Sequence, residues 1–273
     1  MRYTDGMIVL FTDFGLSGPY TGQMKAVLAR MAPSLPVIDL FADAPAFDPQ
    51  LSAYLLAAYA PEFPADSVFL CVVDPGVGTD RRPLVVEADG RRFVGPDNGL
   101  FELVRRRAES VRAWTIGWRP ERLSASFHGR DLFAPVAASL AMGTPVALEP
   151  ADPASIARPD WPDDLARVVY VDVYGSAMTG LRADRLPEDA VLRAGGRTVR
   201  RGRTFADVPV GEALWYANSS GLAEIAVNRG RADRDASFSM GGLSVGMPVE
   251  VFIRPASPGS GRAGPDPRGG SAG

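Results

Sequence analysis

In the stretch VVDPGVGTDRRP (residues 72–83) an apolar run ends on Asp74, and a loop with two glycines leads to the pair Arg81 and Arg82. A carboxylate closing an apolar strand and arginines returned by a glycine-containing loop sit where α/β sheets present ligand-contacting groups. A third group, His128, is the only histidine of the chain and stands in SFHGRDLFAP, between a polar loop and the start of a helical pattern. Asp13, after MIVLFT, and Asp39, in PVIDL, fall near strand ends of the same kind. Carboxylate, guanidinium and imidazole together can stabilise an anionic oxygen and accept its proton. Plainer roles exist for each: a strand-end Asp caps a turn or helix, Asp74 and Arg81 form an ordinary ion pair, and His128 caps or packs.

Several chemistries are excluded. With one histidine and one cysteine, Cys71, neither a His-rich metal site nor a Cys/His nucleophile pair can be built, and HGRD lacks the spacing of a zinc motif. No Gly-rich loop or DFG stretch accompanies GRD, so a kinase is excluded. The glycines beside Asp13 and Asp74 form neither a dinucleotide nor a P-loop fingerprint. A net charge of −3 with scattered arginines, and Lys25 as the only lysine, gives no global attraction to nucleic acid or to an anionic membrane.

The elements that must position these groups follow from hydrophobic patterning. Apolar runs at 7–11, 36–40, 67–73, 83–88 and 111–116 alternate with helical patterns near 20–31, 49–60, 99–108 and 130–142. Continuous Val, Ile and Leu runs predict strands buried on both faces, hence a doubly wound α/β domain over residues 1–150. Residues 149–164, EPADPASIARPDWPDD, hold four prolines and five acids and read as an interdomain linker. Short strand-like runs separated by Gly and Asn turns then predict a smaller β-barrel or sandwich over 165–255, with a hairpin at Gly195 and Gly196. Residues 256–273 lack apolar anchors and are expected to be disordered. Cys71, inside SVFLCVVD, is expected in the core. The five-residue run MIVLF fits neither a signal peptide nor a membrane span, so a soluble cytoplasmic protein is expected.

The motifs resemble a known family. LFTDFG (10–15), VVDPGVGTDRRPLVV (72–86), FVGPDNGL (93–100), FHGRDLFAPVAASLA (127–141), VDVYG (171–175) and ANSSGLAEIAVN (217–228) run in order through nearly the whole chain. They resemble the S-adenosylmethionine hydroxide adenosyltransferases, the hydrolase branch of the superfamily that includes the SAM-dependent fluorinase and chlorinase. The resemblance implies an N-terminal α/β domain, a C-terminal β-barrel and a homotrimer with active sites between subunits. It also implies hydrolysis of S-adenosyl-L-methionine to adenosine and L-methionine by attack of water or hydroxide at ribose C5′, with no cofactor and no metal. The family's Asp–Arg–His triad maps onto Asp74, Arg81 and His128. Asp13 maps to the carboxylate that grips the ribose hydroxyls, Phe47 and Tyr174 to aromatics around the nucleoside, Asp172 and Ser219 to the methionine amino and carboxylate groups, and Asn228 to the adenine region. Departures are Gly18 where relatives carry Asp, Ala42 where a His is common, and Ser176 in place of an amide that reaches the ribose. A halogenase, or a nucleoside-binding protein without turnover, are the alternatives.

Overall fold

The computed structural model describes residues 6–253. Strands β1 (Ile8–Thr12) and β3 (Val68–Val72) are buried at every position. Their side chains sort by parity. Ile8, Leu10, Val68, Leu70 and Val72 join one apolar cluster, whereas Val9, Phe11, Phe69 and Cys71 join another. This is the period-two signature of strands covered on both faces.

The chain leaves β1 through helix α1 (Tyr20–Met31) to strand β2 (Val37–Phe41), which pairs parallel on one side of β1. It then passes through α2 (Pro49–Tyr59) to β3, which pairs parallel on the other side. Successive connections leaving β1 in opposite directions open a crevice at the carboxyl ends of β1 and β3. Strands β4 (Pro83–Ala88), β5 (Arg91–Pro96), β6 (Val111–Ile116) and β7 (Leu148–Ala151) complete a mixed sheet of order β2-β1-β3-β5-β4-β6-β7. Helices α1 and α4 (Ala134–Ala141) pack against each other on one face, and α2 and α3 (Glu102–Arg107) on the other. The domain is therefore doubly wound. One departure from the patterning lies within this sheet. Residues 91–96 form a strand of their own, turned back from β4 by Asp89 and Gly90, both at positive φ. The Asp-Gly pair is a strong hairpin signal that the apolar-run reading passes over.

The second sheet comprises β8 (Leu165–Val171), β9 (Ala177–Arg182), β10 (Ala190–Ala194), β11 (Arg197–Arg201), β12 (Ala213–Ala217), β13 (Leu222–Val227) and β14 (Val249–Ile253), in the order β14-β10-β11-β12-β13-β9-β8. It curls into a half-barrel whose outer strands meet at a bridge between Arg167 and Pro248. Trp215, Leu192, Val199, Ile225 and Phe238 fill its interior. Gly195 and Gly196, both at positive φ, turn β10 into β11. The tail at 256–273 lies outside the described residues.

The proline-rich segment behaves differently from a free linker. Its first residues form β7, an edge strand in which Pro150 lies opposite Trp114, the position where a missing N–H costs no ladder bond. Ile156 and Trp161 then pack on the α2/α3 cluster, together with Leu165, Val169, Met178 and Leu222 from the second sheet. Glu102, with a fully buried side chain, anchors the segment: it accepts from Arg105 and Arg106 and from the Arg158 N–H at 3.0 Å. Arg106 in turn donates to the carbonyls of Arg158 and Trp161, both at 2.8 Å. Burial acts to raise the Glu102 pKa, but the bonds from Arg105, Arg106 and Arg158 outweigh it and hold the carboxyl below its ordinary value. Glu102→Ala would take the carboxylate from Arg105, leave Arg106 with Asp163 alone and remove the acceptor of the Arg158 N–H, a loss of about 3 kcal/mol. The expected result is a lower urea midpoint; an unchanged midpoint would show that the segment docks without this carboxylate.

Candidate active site

The crevice predicted by the strand order holds the polar groups. Asp13 follows β1 and Asp74 follows β3, and both line a cavity of about 340 Å³ together with Phe14, Tyr20, Phe47, Phe127 and His128. Asp39 is not among them: within β2, its carboxylate meets Lys25 at the surface.

The loop from Asp74 to Arg81 is two overlapping turns, Val77 N–H to the Asp74 carbonyl and Thr79 N–H to the Gly76 carbonyl. Gly78, at φ 81°, could carry no side chain, because a Cβ would lie 2.8 Å from the Ala125 carbonyl. The loop therefore lies against the segment that leads to His128, and it folds Arg81 back onto Asp74. The guanidinium grips the carboxylate with two bonds, Nε to Oδ1 at 2.6 Å and Nη2 to Oδ2. The same Nη2 contacts His128 Nδ1 at 3.1 Å, and the guanidinium stands 5.3 Å from the centroid of the Phe133 ring. Both charged side chains are less than a tenth exposed. Arg82 points elsewhere, to Asp97 at 2.8 Å by Nε and to Ser155 by both terminal nitrogens, which ties the loop to the docked interdomain segment.

His128 precedes a π turn, Gly129–Phe133, that runs into α4. Such irregular turns re-aim side chains and recur at functional sites. A Cβ on Gly129 would press on Met24, Phe127 and Phe14 at 3.1–3.5 Å, so close packing holds this turn against the aromatic wall of the cavity.

The contact with Arg81 fixes the imidazole. Arginine has only donors, so Nδ1 must accept, and the neutral ring carries its proton on Nε2. Burial, followed by the Arg81 charge, lowers the His128 pKa below its ordinary 6.5, and the ring is neutral at pH 7. Asp13 moves the opposite way. Burial raises its pKa, and the nearby Asp74 charge adds to this, against the N–H of Phe47 that reaches Oδ2 at 2.9 Å. That bond holds Phe47 at φ 60° with a 78 % exposed ring, a left-handed conformation costly for an aromatic residue.

The remaining predicted residues lie elsewhere on the chain. Asp172, Tyr174, Ser176, Ser219 and Asn228 line a second cavity of about 700 Å³ on the half-barrel, bounded also by Tyr59, Phe205, Tyr216 and Glu224. The two cavities share no lining residue. Asp172 Oδ1 accepts from the N–H groups of Tyr174 and Ser176 at 3.0 and 2.8 Å. The Asn228 amide is spent on the Val208 carbonyl at 2.8 Å. The sequence reading missed Phe14, Tyr20 and Phe127, whose rings meet at 5.4–5.9 Å, and Tyr216 and Glu224. Phe14, Phe127 and Glu224 lie inside the quoted motifs, which was the available signal. Among the described residues no group of three or more His, Cys, Asp or Glu is placed to hold a metal ion.

The model of the SAM hydroxide adenosyltransferase N-terminal domain matches residues 8–148, and that of the C-terminal domain matches 166–243. The chain belongs to this family. A protein of Thermus thermophilus named (R)-S-adenosyl-L-methionine hydrolase is 41 % identical over 90 % of this chain and 99 % of its own. One of Salinispora arenicola with the same name is 40 % identical over 81 % and 90 %. A crystal structure from Thermotoga maritima, described as an uncharacterized conserved protein, superposes with a TM-score of 0.75 at 31 % identity, covering 90 % of this chain and 99 % of that one.

Because His128 is the only histidine, its ring can be followed without assignment. Nitrogen-detected NMR is expected to show an unprotonated Nδ1, a protonated Nε2 and a midpoint below 6.5. Arg81→Met should raise that midpoint, since it removes a cation and leaves the Asp74 charge uncompensated. An unshifted midpoint would contradict the coupling.

Proposed function

We propose that this protein hydrolyses S-adenosyl-L-methionine to adenosine and L-methionine, with Asp74, Arg81 and His128 handling the water that attacks ribose C5′. The forked Arg81–Asp74 pair with His128 attached, at a cavity rimmed by aromatic rings, is the observation that carries the mechanism. The sulfonium is already a good leaving group, so the work lies in holding a desolvated oxygen in line with the C5′–S bond. Arg81 supplies positive charge to an oxygen that gains hydroxide character. His128, with its proton on Nε2, donates to that oxygen and aims its lone pair. A ring that accepted the proton at Nε2 would need Nδ1–H turned toward the Arg81 donor 3.1 Å away. The proton therefore passes to Asp74, whose oxygens each keep a lone pair beyond the two Arg81 bonds. Asp13 takes the ribose hydroxyls and Phe47 stacks beside the nucleoside. No cofactor takes part. The reading also places the protein in the cytoplasm and makes it no partner of nucleic acid; no helix among the described residues is long and apolar enough to cross a membrane.

The two separate cavities support an active site built between copies. Asp13, Asp74 and His128 on one copy would face Asp172, Tyr174, Ser176, Ser219 and Asn228 on the next, a head-to-tail contact that closes as a ring of three. The exposed apolar side chains Leu16 and Phe47 follow β1 and precede α2, and Val173 and Tyr174 belong to the second cavity's loop; all four are more than three-quarters exposed, which suits burial between copies.

Four measurements test this. Chromatography after incubation with S-adenosyl-L-methionine should show adenosine and methionine; with chloride present, 5′-chloroadenosine in place of adenosine would overturn the hydrolase reading. Arg81→Ala and His128→Ala should each lower kcat by roughly 10²–10⁴ with little change in KM. In the intact enzyme the active ring is neutral, so kcat/KM should fall only as pH drops through a value below 6.5. Finally, inactive His128→Ala and inactive Asp172→Ala proteins, dissociated and reassembled together, should regain activity, because mixed rings contain some sites with both halves intact. No recovery would refute the intersubunit site.

A further inference from the structure

Glu224 is 4 % exposed, yet its carboxylate faces no cation within 4.0 Å among the described residues. Strand alternation explains the placement. Its neighbours Ala223 and Ile225 point into the half-barrel core, so Glu224 emerges on the opposite face, flanked across the sheet by Tyr216 on β12 and Met178 on β9. These three side chains form part of the wall of the second cavity.

Two neutral groups hold the carboxylate. The Tyr216 hydroxyl donates to Oε1, and Asn218 Nδ2 donates to Oε2 at 3.0 Å. Asn218 cannot turn its amide around, because its Oδ1 accepts from the N–H groups of Ser220 and Leu222 at 3.0 Å each. Glu224 is thus locked with one edge toward the cavity, where Asp172 is a second carboxylate. Neither phenol can act as counter-ion. Burial, then for Tyr216 the bond to Glu224, and for both rings the charges of Glu224 and Asp172, push the pKa values of Tyr216 and Tyr59 up. Arg229 lines the same cavity but makes no ion pair with Glu224 within 4.0 Å. Arg231 is committed to Asp233 by two bonds of 2.9 Å. A buried charge without a counter-charge is costly, and a ligand that brings a cation recovers that cost on binding.

We propose that Glu224 is a specificity-determining residue whose carboxylate, held by Tyr216 and Asn218 in the wall of the second cavity, is a counter-charge for the α-ammonium group of the substrate's amino-acid part. This rests on the reading of the substrate as S-adenosyl-L-methionine and adds a residue to its recognition. The ammonium keeps its charge throughout the reaction, whereas the sulfonium loses its charge as the C–S bond breaks. A carboxylate on the ammonium therefore contributes equally to ground and transition states and acts through KM rather than kcat.

The test compares S-adenosyl-L-methionine with the analogue in which hydrogen replaces the α-amino group, in wild type and in Glu224→Gln. Wild type should prefer the amino substrate by roughly ten- to a hundred-fold in kcat/KM, the range for a hydrogen bond to a charged group. In Glu224→Gln that preference should shrink by about ten-fold, through a higher KM for the amino substrate and little change for the analogue. Equal losses on both substrates would mean that Glu224 only braces the Asn218 turn, and the proposal would fail. It would also fail, with no variant needed, if wild type turned over both substrates equally well. Glu224→Asp, which keeps the charge but withdraws it from the cavity, gives an independent reading if the Gln variant does not fold, and the same loss of preference is expected. Wild type that forms no adenosine from S-adenosyl-L-methionine would instead refute the hydrolase reading on which the proposal stands.

Discussion

A single guanidinium, buried and held on two sides, organises the candidate catalytic centre. A guanidinium brings a positive charge and donors only, and a buried charge is tolerable only if its surroundings answer it. Asp74 does so with both oxygens, Phe133 with its ring face, and His128 with a lone pair. Each of these partners comes from a different element: the end of β3, the π turn, and the residue just before it. The loop of Asp74 to Arg81 must reverse within a few residues to bring the ends of this pair together, and Gly78 is the position where that reversal meets the neighbouring chain. The imidazole tautomer and the direction of its free N–H descend from this one contact, which adds to burial in lowering the basicity of the ring.

Much of this was legible in the sequence. Asp74 and Arg81 could be picked out because an apolar run ends on a carboxylate and a glycine-containing loop returns arginines after it, and His128 because it is the only histidine; their grouping as a triad came from the family resemblance. The doubly wound order could be read because strands buried on both faces carry unbroken runs of Val, Leu and Phe. The curled second sheet could be read from its short runs and glycine turns. What escaped had physical reasons. Strand β5 begins on two arginines and contains a glycine, so its apolar stretch is brief. The docking of the interdomain segment was not legible, because it is carried by Glu102 and arginines from a helix more than fifty residues away, a contact no local pattern reports.

The site divided in the same way. Single residues could be named from their motifs, but their grouping into two cavities is a property of the folded chain. Asn228 illustrates this: its motif names it as a ligand contact, and the fold adds that it lines the second cavity with its amide nitrogen bonded to the Val208 carbonyl. Glu224 illustrates the converse. It lies inside a motif that named other residues, and strand parity together with the absence of an ion pair among the described residues marks it out.

Arg82, the neighbour with no place in the chemistry, joins two scales of organisation. It fastens the Asp74 loop to Asp97 and Ser155, and so to the segment from which the second sheet departs. The loop that carries Asp74 and Arg81 is therefore also a strut for the half-barrel of its own chain. In an assembly where each half-barrel serves the next copy, the angle at which a neighbour is presented would be set at the same dozen residues as the nucleophile, so that drift in one could not occur without drift in the other.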